Sequence, residues 1–226
     1  MIGISTGVFY KAVPEEDLNK TIDLIRPLDI DEVEILYARP FIMDATLSQK
    51  NLTFLKKIKV TIHAPFFKDQ GWEDAHFDKH LLDKVVAKAK ELGARHIIIH
   101  PDLVDLSLLK AYDCIFALEN LKSKRGFGAD RLKQIFKENP KLKLSLDIGH
   151  ARDWGPEELP KLLQNFKDRI VEIQFSVDDH YENVLQGKSY PDVELVRTLN
   201  VPLVLESRPT DIKLLPPILE LLREKL

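Results

Sequence analysis

Short apolar runs recur along this chain, and several of them stop on a polar residue. The runs are Val60-Thr61-Ile62-His63, Ile97-Ile98-Ile99-His100, Phe116-Ala117-Leu118-Glu119, Leu144-Ser145-Leu146-Asp147, Ile170-Val171-Glu172-Ile173-Gln174 and Leu203-Val204-Leu205-Glu206. A continuous apolar run of this length reads as a parallel strand buried on both faces. Between the runs lie segments of helical period. The alternation predicts strands at 2–5, 32–36, 59–63, 95–100, 114–119, 143–147, 170–175 and 203–206. Helices are expected at about 15–25, 47–57, 77–92, 106–111, 129–138, 156–166, 191–199 and 212–225. Gly93 is a fitting cap for the third helix, and Asn139-Pro140 stops the fifth. Pro216-Pro217 should break the last helix or open a new first turn.

Eight strand–helix units in 226 residues leave about 28 residues per unit, close to the minimum for a βα repeat. The pattern predicts an α/β fold, a single (β/α)8 TIM barrel with parallel strands, spanning residues 1–226 as one domain. The longest irregular stretch, 176–190, follows the seventh strand, and long loops on compact domains tend to be functional. In such a barrel the strand C-termini gather at one mouth. The polar strand ends should therefore meet in space.

Composition narrows the picture. Hydrophobic residues make up 44% of the chain, enough for a large core, and charged residues 31%, against one Cys and two Met. That skew matches thermophilic proteins. The net charge of −3 argues against nonspecific DNA binding by a global basic excess. A lone Cys114 forms no internal disulfide, and the N-terminus leads directly into a strand with no signal-peptide pattern. No apolar run approaches a membrane span. A cytoplasmic location is expected.

The chemistry rests on His63, His100, Glu119, Asp147, His150, Gln174, Asp178, His180 and Glu206. Carboxylates and imidazoles together suit Zn, Mn, Fe or Co. Glu119, Asp147 and Glu206 brought close together would repel, and a divalent cation relieves that repulsion. Each member also has an ordinary explanation. His63 precedes Ala64-Pro65 and His100 precedes Pro101, where imidazoles often serve as structural hydrogen-bonders. Glu119, before Asn120, has the option of capping a helix, and Asp178-Asp179-His180 reads equally as a polar loop. Asp147-Ile148-Gly149-His150 is more specific, because a Gly turn lets a carboxylate and an imidazole face one cavity. Lys122, Lys124 and Arg125, with Gly126 and Gly128, form a candidate anion-binding loop or a solvated one. Trp72 and Trp154 read as loop residues covering the rim. His76, His80 and His96 read as structural, and Cys114 as core.

The segments Ile62-His63-Ala64-Pro65-Phe66, Ile99-His100-Pro101, Ala117-Leu118-Glu119-Asn120, Leu146-Asp147-Ile148-Gly149-His150 and Val204-Leu205-Glu206 resemble the xylose isomerase-like TIM barrels. That superfamily includes sugar and sugar-phosphate isomerases and epimerases and the DNA-repair enzyme endonuclease IV. In the isomerase branch the resemblance implies a metal site of Glu119, Asp147, Gln174 and Glu206, where Gln174 replaces the branch's imidazole. Its cofactor would be Mn, Mg, Co or Zn. Glu119 and Glu206 would move protons at carbon, and His150 and His180 would orient hydroxyls. In the endonuclease branch His63, His100, His150, Asp178 and His180 would be further ligands, and the partner would be abasic DNA. A third expectation is a degenerate barrel that binds a sugar without turnover.

Overall fold

The computed structural model describes residues 1–176, 190–207 and 211–225, the side chains of 190 and 191 excepted. Asp178, His180 and most of the stretch expected to be irregular lie outside the described residues. Eight strands close into one parallel barrel in sequence order, β1 Ile2–Ser5, β2 Glu32–Leu36, β3 Lys59–His63, β4 Ile97–Ile99, β5 Phe116–Glu119, β6 Lys143–Asp147, β7 Ile170–Phe175 and β8 Leu203–Leu205. Helices cover the outside, among them α1 Leu18–Ile25, α2 Gln49–Leu55, α3 Lys79–Leu92, α4 Leu106–Leu109, α5 Ala129–Glu138, α6 Ile148–Trp154 and α7 Glu158–Phe166. Then come α8 Tyr190–Val196 and α9 Leu215–Lys225. No helix among the described residues is long and apolar enough to cross a membrane.

Local chemistry sets the boundaries. Asp17, Ser48 and Asp78 cap α1, α2 and α3 by accepting backbone N–H groups, and Gly93 ends α3 at φ 65°. The first and third helices therefore begin two or three residues later than the apolar period suggests. Before α9, a 3-10 turn at Ile212–Leu214 precedes Pro216-Pro217, which sit in the first turn where a missing N–H costs nothing. One helix is absent from the sequence-based expectation. Ile148–Trp154 is α6, with Asp147 as its N-cap, not a glycine turn. Trp154 consequently ends a helix and does not lie in a loop. Cys114 is half-buried just before β5, outside the strand.

The pleat sorts the strand residues into two environments. Outward residues such as Ile4, Val33, Ile35, Ile62, Ile99, Leu118, Leu146 and Leu205 pack with helix residues such as Ile22, Val85, Leu132, Leu162 and Ile218 in one apolar cluster. Each fully buried aliphatic side chain there contributes roughly 1.5–3 kcal/mol. The inward set follows the register: Glu34 beside Thr61; His63 beside Ile98, then Ala117; Glu119 beside Ser145, then Glu172; Asp147 beside Gln174, then Val204. The interior of this barrel is mostly polar, whereas barrel interiors are commonly filled by branched apolar residues. Leu36, Ile98, Ala117 and Val204 are its apolar members and stand apart from the outer cluster.

Below the mouth lie Glu32, Glu172 and His96, all buried. His96 Nε2 is 3.1 Å from Glu172 Oε2. Burial, and then the neighbouring carboxyl Glu172, pushes Glu32 up to about 8. Burial, and then Glu34, pushes Glu172 up to about 8. Burial brings His96 down to about 4. Burial thus favours the uncharged form of all three groups, and His96 and Glu172 share a hydrogen bond. Two carboxyls that hold protons more tightly when folded destabilise the fold as pH rises from their unfolded values toward 8. His96 acts oppositely, but only between about 4 and its unfolded value near 6.5. Wild-type stability should fall most steeply between about pH 6.5 and 8. Thermal unfolding of a Glu32→Gln/Glu172→Gln variant should show a shallower decline over that interval. An unchanged slope would contradict the neutral-trio assignment.

Candidate active site

The strand C-termini surround a cavity of about 380 Å³ lined by, among others, His63, His100, Glu119, Lys122, Asp147, His150, Ser176 and Glu206. Glu119, at the end of β5, is the centre of the arrangement and is 2% exposed. Its Oε2 lies 2.9 Å from His63 Nε2 and 3.1 Å from His100 Nε2. Its Oε1 lies 2.8 Å from His150 Nδ1. Burial alone would raise this carboxyl, but the charge and hydrogen bonds of His100 and the bonds from His150 and His63 hold it well below the usual range.

The imidazoles respond in kind. Burial would lower His63, yet the hydrogen bond and charge of Glu119 carry it up to about 9. Burial is likewise outweighed at His150, where the charge of Asp147 and the Glu119 bond bring it up to about 9. Asp147 is raised by burial and by Glu119. Its Oδ1 accepts the His150 N–H at 2.6 Å, and both its oxygens lie 2.8 Å from Ser176 Oγ. Asn120 fixes the ends of β5 and β6 together. Its Nδ2 donates to the Asp147 carbonyl and its Oδ1 accepts the Asp147 N–H, both at 2.8 Å.

Two groups here have ligand atoms within 4.8 Å of one another: His63, His100 and Glu119, and Glu119, Asp147 and His150. Their chemistry fits a divalent cation. The His63 Nδ1 faces the Ala64 carbonyl at 2.9 Å and so carries a proton. Its Nε2 then either takes a second proton or shares a cation with Glu119, and the commitment of one ring nitrogen to a backbone carbonyl is the usual posture of a metal-ligating imidazole.

The strand-7 and strand-8 positions are arranged differently from the expected ligand set. Gln174 does not line the cavity. Its Nε2 donates to Glu206 Oε1 at 2.9 Å and to Glu34 Oε2 at 3.2 Å. In this arrangement the Gln174 amide turns its nitrogen to the carboxyl groups of both Glu206 and Glu34. Glu206 lines the cavity but belongs to neither group. Burial, then Glu34, Asp147 and Glu119, raise it well above the usual range. Of the basic loop, Lys122 reaches the cavity. Arg125 is taken up by Asp102 and by Asp74, the latter at 3.0 Å, and is unavailable to an anion. Neither Arg125 nor Lys124 lines the cavity.

Sequence reasoning missed Glu34, Ser176 and the clasp made by Asn120. The alternation Glu32-Val33-Glu34-Ile35 carried the signal for Glu34: in a closed parallel sheet, acidic residues at i and i+2 between apolar ones point into the barrel.

No family model matches the sequence, and no curated protein matches it. Solved structures do. D-allulose 3-epimerase from Methylomonas sp., in complex with D-allulose, aligns at a TM-score of 0.68 with 13% identity over 92% of this chain and 84% of that one. Endonuclease IV from Thermus thermophilus aligns at 0.66 with 16% identity over 99% and 97%. The probable 3-DHS dehydratase AsbF from Bacillus anthracis aligns at 0.67 with 11% identity over 98% of each. The chain shares the closed (β/α)8 TIM-barrel fold with these proteins. At these identities the likeness is one of fold, and the chemistry has to come from the side chains.

The seam between α6 and β7 gives a direct check on that geometry. A Cβ on Gly149 would stand 2.1 Å from the Ser176 carbonyl oxygen and 2.5 Å from its Oγ. Gly149→Ala should cost about 2 kcal/mol by overpacking, lowering the midpoint of thermal unfolding by roughly 4–8 °C. A neutral substitution would show that the contact is looser than described.

Proposed function

We propose that this chain is a divalent-metal-dependent isomerase or epimerase acting on a small sugar or sugar phosphate. The observation that carries this reading is the pair of ligand groups sharing Glu119, opening onto a cavity of about 380 Å³. A volume of that order suits a small polar molecule. His63, His100, Glu119, Asp147 and His150 would hold the metal. Bound there, a divalent ion polarises a carbonyl oxygen and acidifies the neighbouring C–H.

Glu206 is the group that moves the proton at carbon. It faces the cavity, stays outside both ligand groups, and is held in place by Gln174. Glu119 was the other expected proton carrier, but three imidazoles occupy its oxygens, which suits it to ligation. Lys122 offers a cation for a phosphate or hydroxyl at the rim. The solved epimerases of this fold, one described with D-allulose and one with D-fructose, support the choice of substrate class.

A metal-dependent phosphodiesterase acting on abasic DNA is the second reading. The His63–His100–Glu119 group favours it, as does the fold likeness to endonuclease IV. Against it, Lys122 is the one lysine or arginine lining the cavity among the described residues.

The test is deuterium wash-in from D2O into D-fructose or D-allulose, followed by proton NMR with Mn, Co, Mg or Zn supplied. Exchange at carbon is expected, and Glu206→Gln should slow it by about 100-fold or more while metal content is retained. Glu119→Gln should strip the metal, because that residue belongs to both groups. Cleavage of an abasic duplex without any C–H exchange would replace this reading with the second.

A further inference from the structure

The loops after β1, β2 and β3 form a second concavity of about 140 Å³ beside the first. Gly7, Leu36 and Phe66 line both cavities and form their common wall. All three are half-buried. A side chain at position 7 would crowd the junction, beginning with a Cβ 2.5 Å from Leu36 Cδ2. Phe66 ties the two spaces together: its ring stacks on His100 at 5.2 Å and 11° and meets both His63 and Phe67 edge-on.

The far side of the groove ends in Trp72, which is 74% exposed. This ring is held in place. It meets Phe67 edge-on at 5.2 Å, and the Arg39 guanidinium lies 5.2 Å from its centroid and 5.3 Å from that of Phe67. Arg39 is itself buried, and its Nη1 donates to the carbonyls of Lys68 and Gly71 at 2.6 Å. A ring left 74% exposed gains little from burial beyond its contacts with Phe67 and Arg39. Polar groups complete the groove. Glu15 lines it, 3.3 Å from Arg39 Nε, and so does Thr6.

We propose that this groove is a second sugar subsite. It takes a pyranose ring linked to the sugar seated in the larger cavity, so that the substrate is a disaccharide or glycoside. The inference rests on the isomerase or epimerase reading of the adjacent site. A pyranose matches the groove on both counts, with a C–H face for the indole and hydroxyl edges for the Glu15 carboxylate and the Thr6 hydroxyl. The Glu15 carboxylate, paired with Arg39 through one oxygen, keeps acceptor capacity for a sugar hydroxyl, which a phosphate would oppose by charge and a flat hydrocarbon would not use. The small volume suits one ring.

The chain has two tryptophans, so 5-fluorotryptophan labelling yields two fluorine resonances, and Trp72→Phe assigns one of them. The metal-supplied protein is titrated with D-fructose and with lactulose and turanose, which each add a pyranose ring to fructose. The disaccharides should shift the Trp72 resonance, fructose alone should not, and at least one disaccharide should bind about tenfold tighter than fructose, the equivalent of ~1.4 kcal/mol. Trp72→Ala removes an exposed ring and should bring that affinity ratio to about one. Fructose binding with no disaccharide advantage, or a ratio that survives Trp72→Ala, overturns the subsite and leaves the sugar reading standing. Failure of every sugar to bind overturns both. A Trp72 shift on adding an abasic duplex, with none from the sugars, assigns the groove to nucleic acid.

Discussion

Closing a parallel sheet on itself sends every second side chain into a confined interior, and the composition of that inward set governs this molecule. The outward set is aliphatic and packs under the helices. The inward set is mostly carboxylic, amide, hydroxyl and imidazole, broken by Leu36, Ile98, Ala117 and Val204. Stability therefore comes from the layer between sheet and helices, and the barrel's interior is a region of electrostatic cost. The interior limits that cost in two ways. Burial favours the uncharged forms of Glu32, Glu172 and His96 in the lower part. At the mouth, Glu119 keeps its charge and recruits three imidazoles.

These opposite solutions explain why the chemistry sits where it does. A carboxyl that has become neutral offers little to a cation. A carboxylate surrounded by imidazoles is a candidate ligand group for a cation. Glu206 lies between the two regimes. It is close enough to Glu34, Asp147 and Glu119 to favour its proton, yet it lines the open cavity. The proposed proton transfer at carbon would draw on that setting.

Much of this was readable in the chain, and what was not has physical reasons. Strands such as Lys143–Asp147 and Ile170–Phe175 match expectation because apolar runs of that length have one good solution in a closed parallel sheet. The convergence of His63, His100, Glu119, Asp147, His150 and Glu206 follows from topology once eight units are counted. α6 was hidden because Asp147-Ile148-Gly149-His150 has the composition of a turn, while its helical state depends on the Asp147 cap and on Gly149 fitting against Ser176. The role of Gln174 depends on Glu34 and Glu206, which lie on strands remote in sequence. Arg125 looked free because Asp74 and Asp102, its partners, belong to two other loops. Side-chain orientation set by distant neighbours is the part that a linear pattern does not carry.

The Asn120 clasp has a consequence of its own. By returning two hydrogen bonds to the Asp147 backbone, one amide side chain imitates a rung of sheet at the very rim. Glu119 and Asp147 are thereby yoked, and neither can drift without dragging the other.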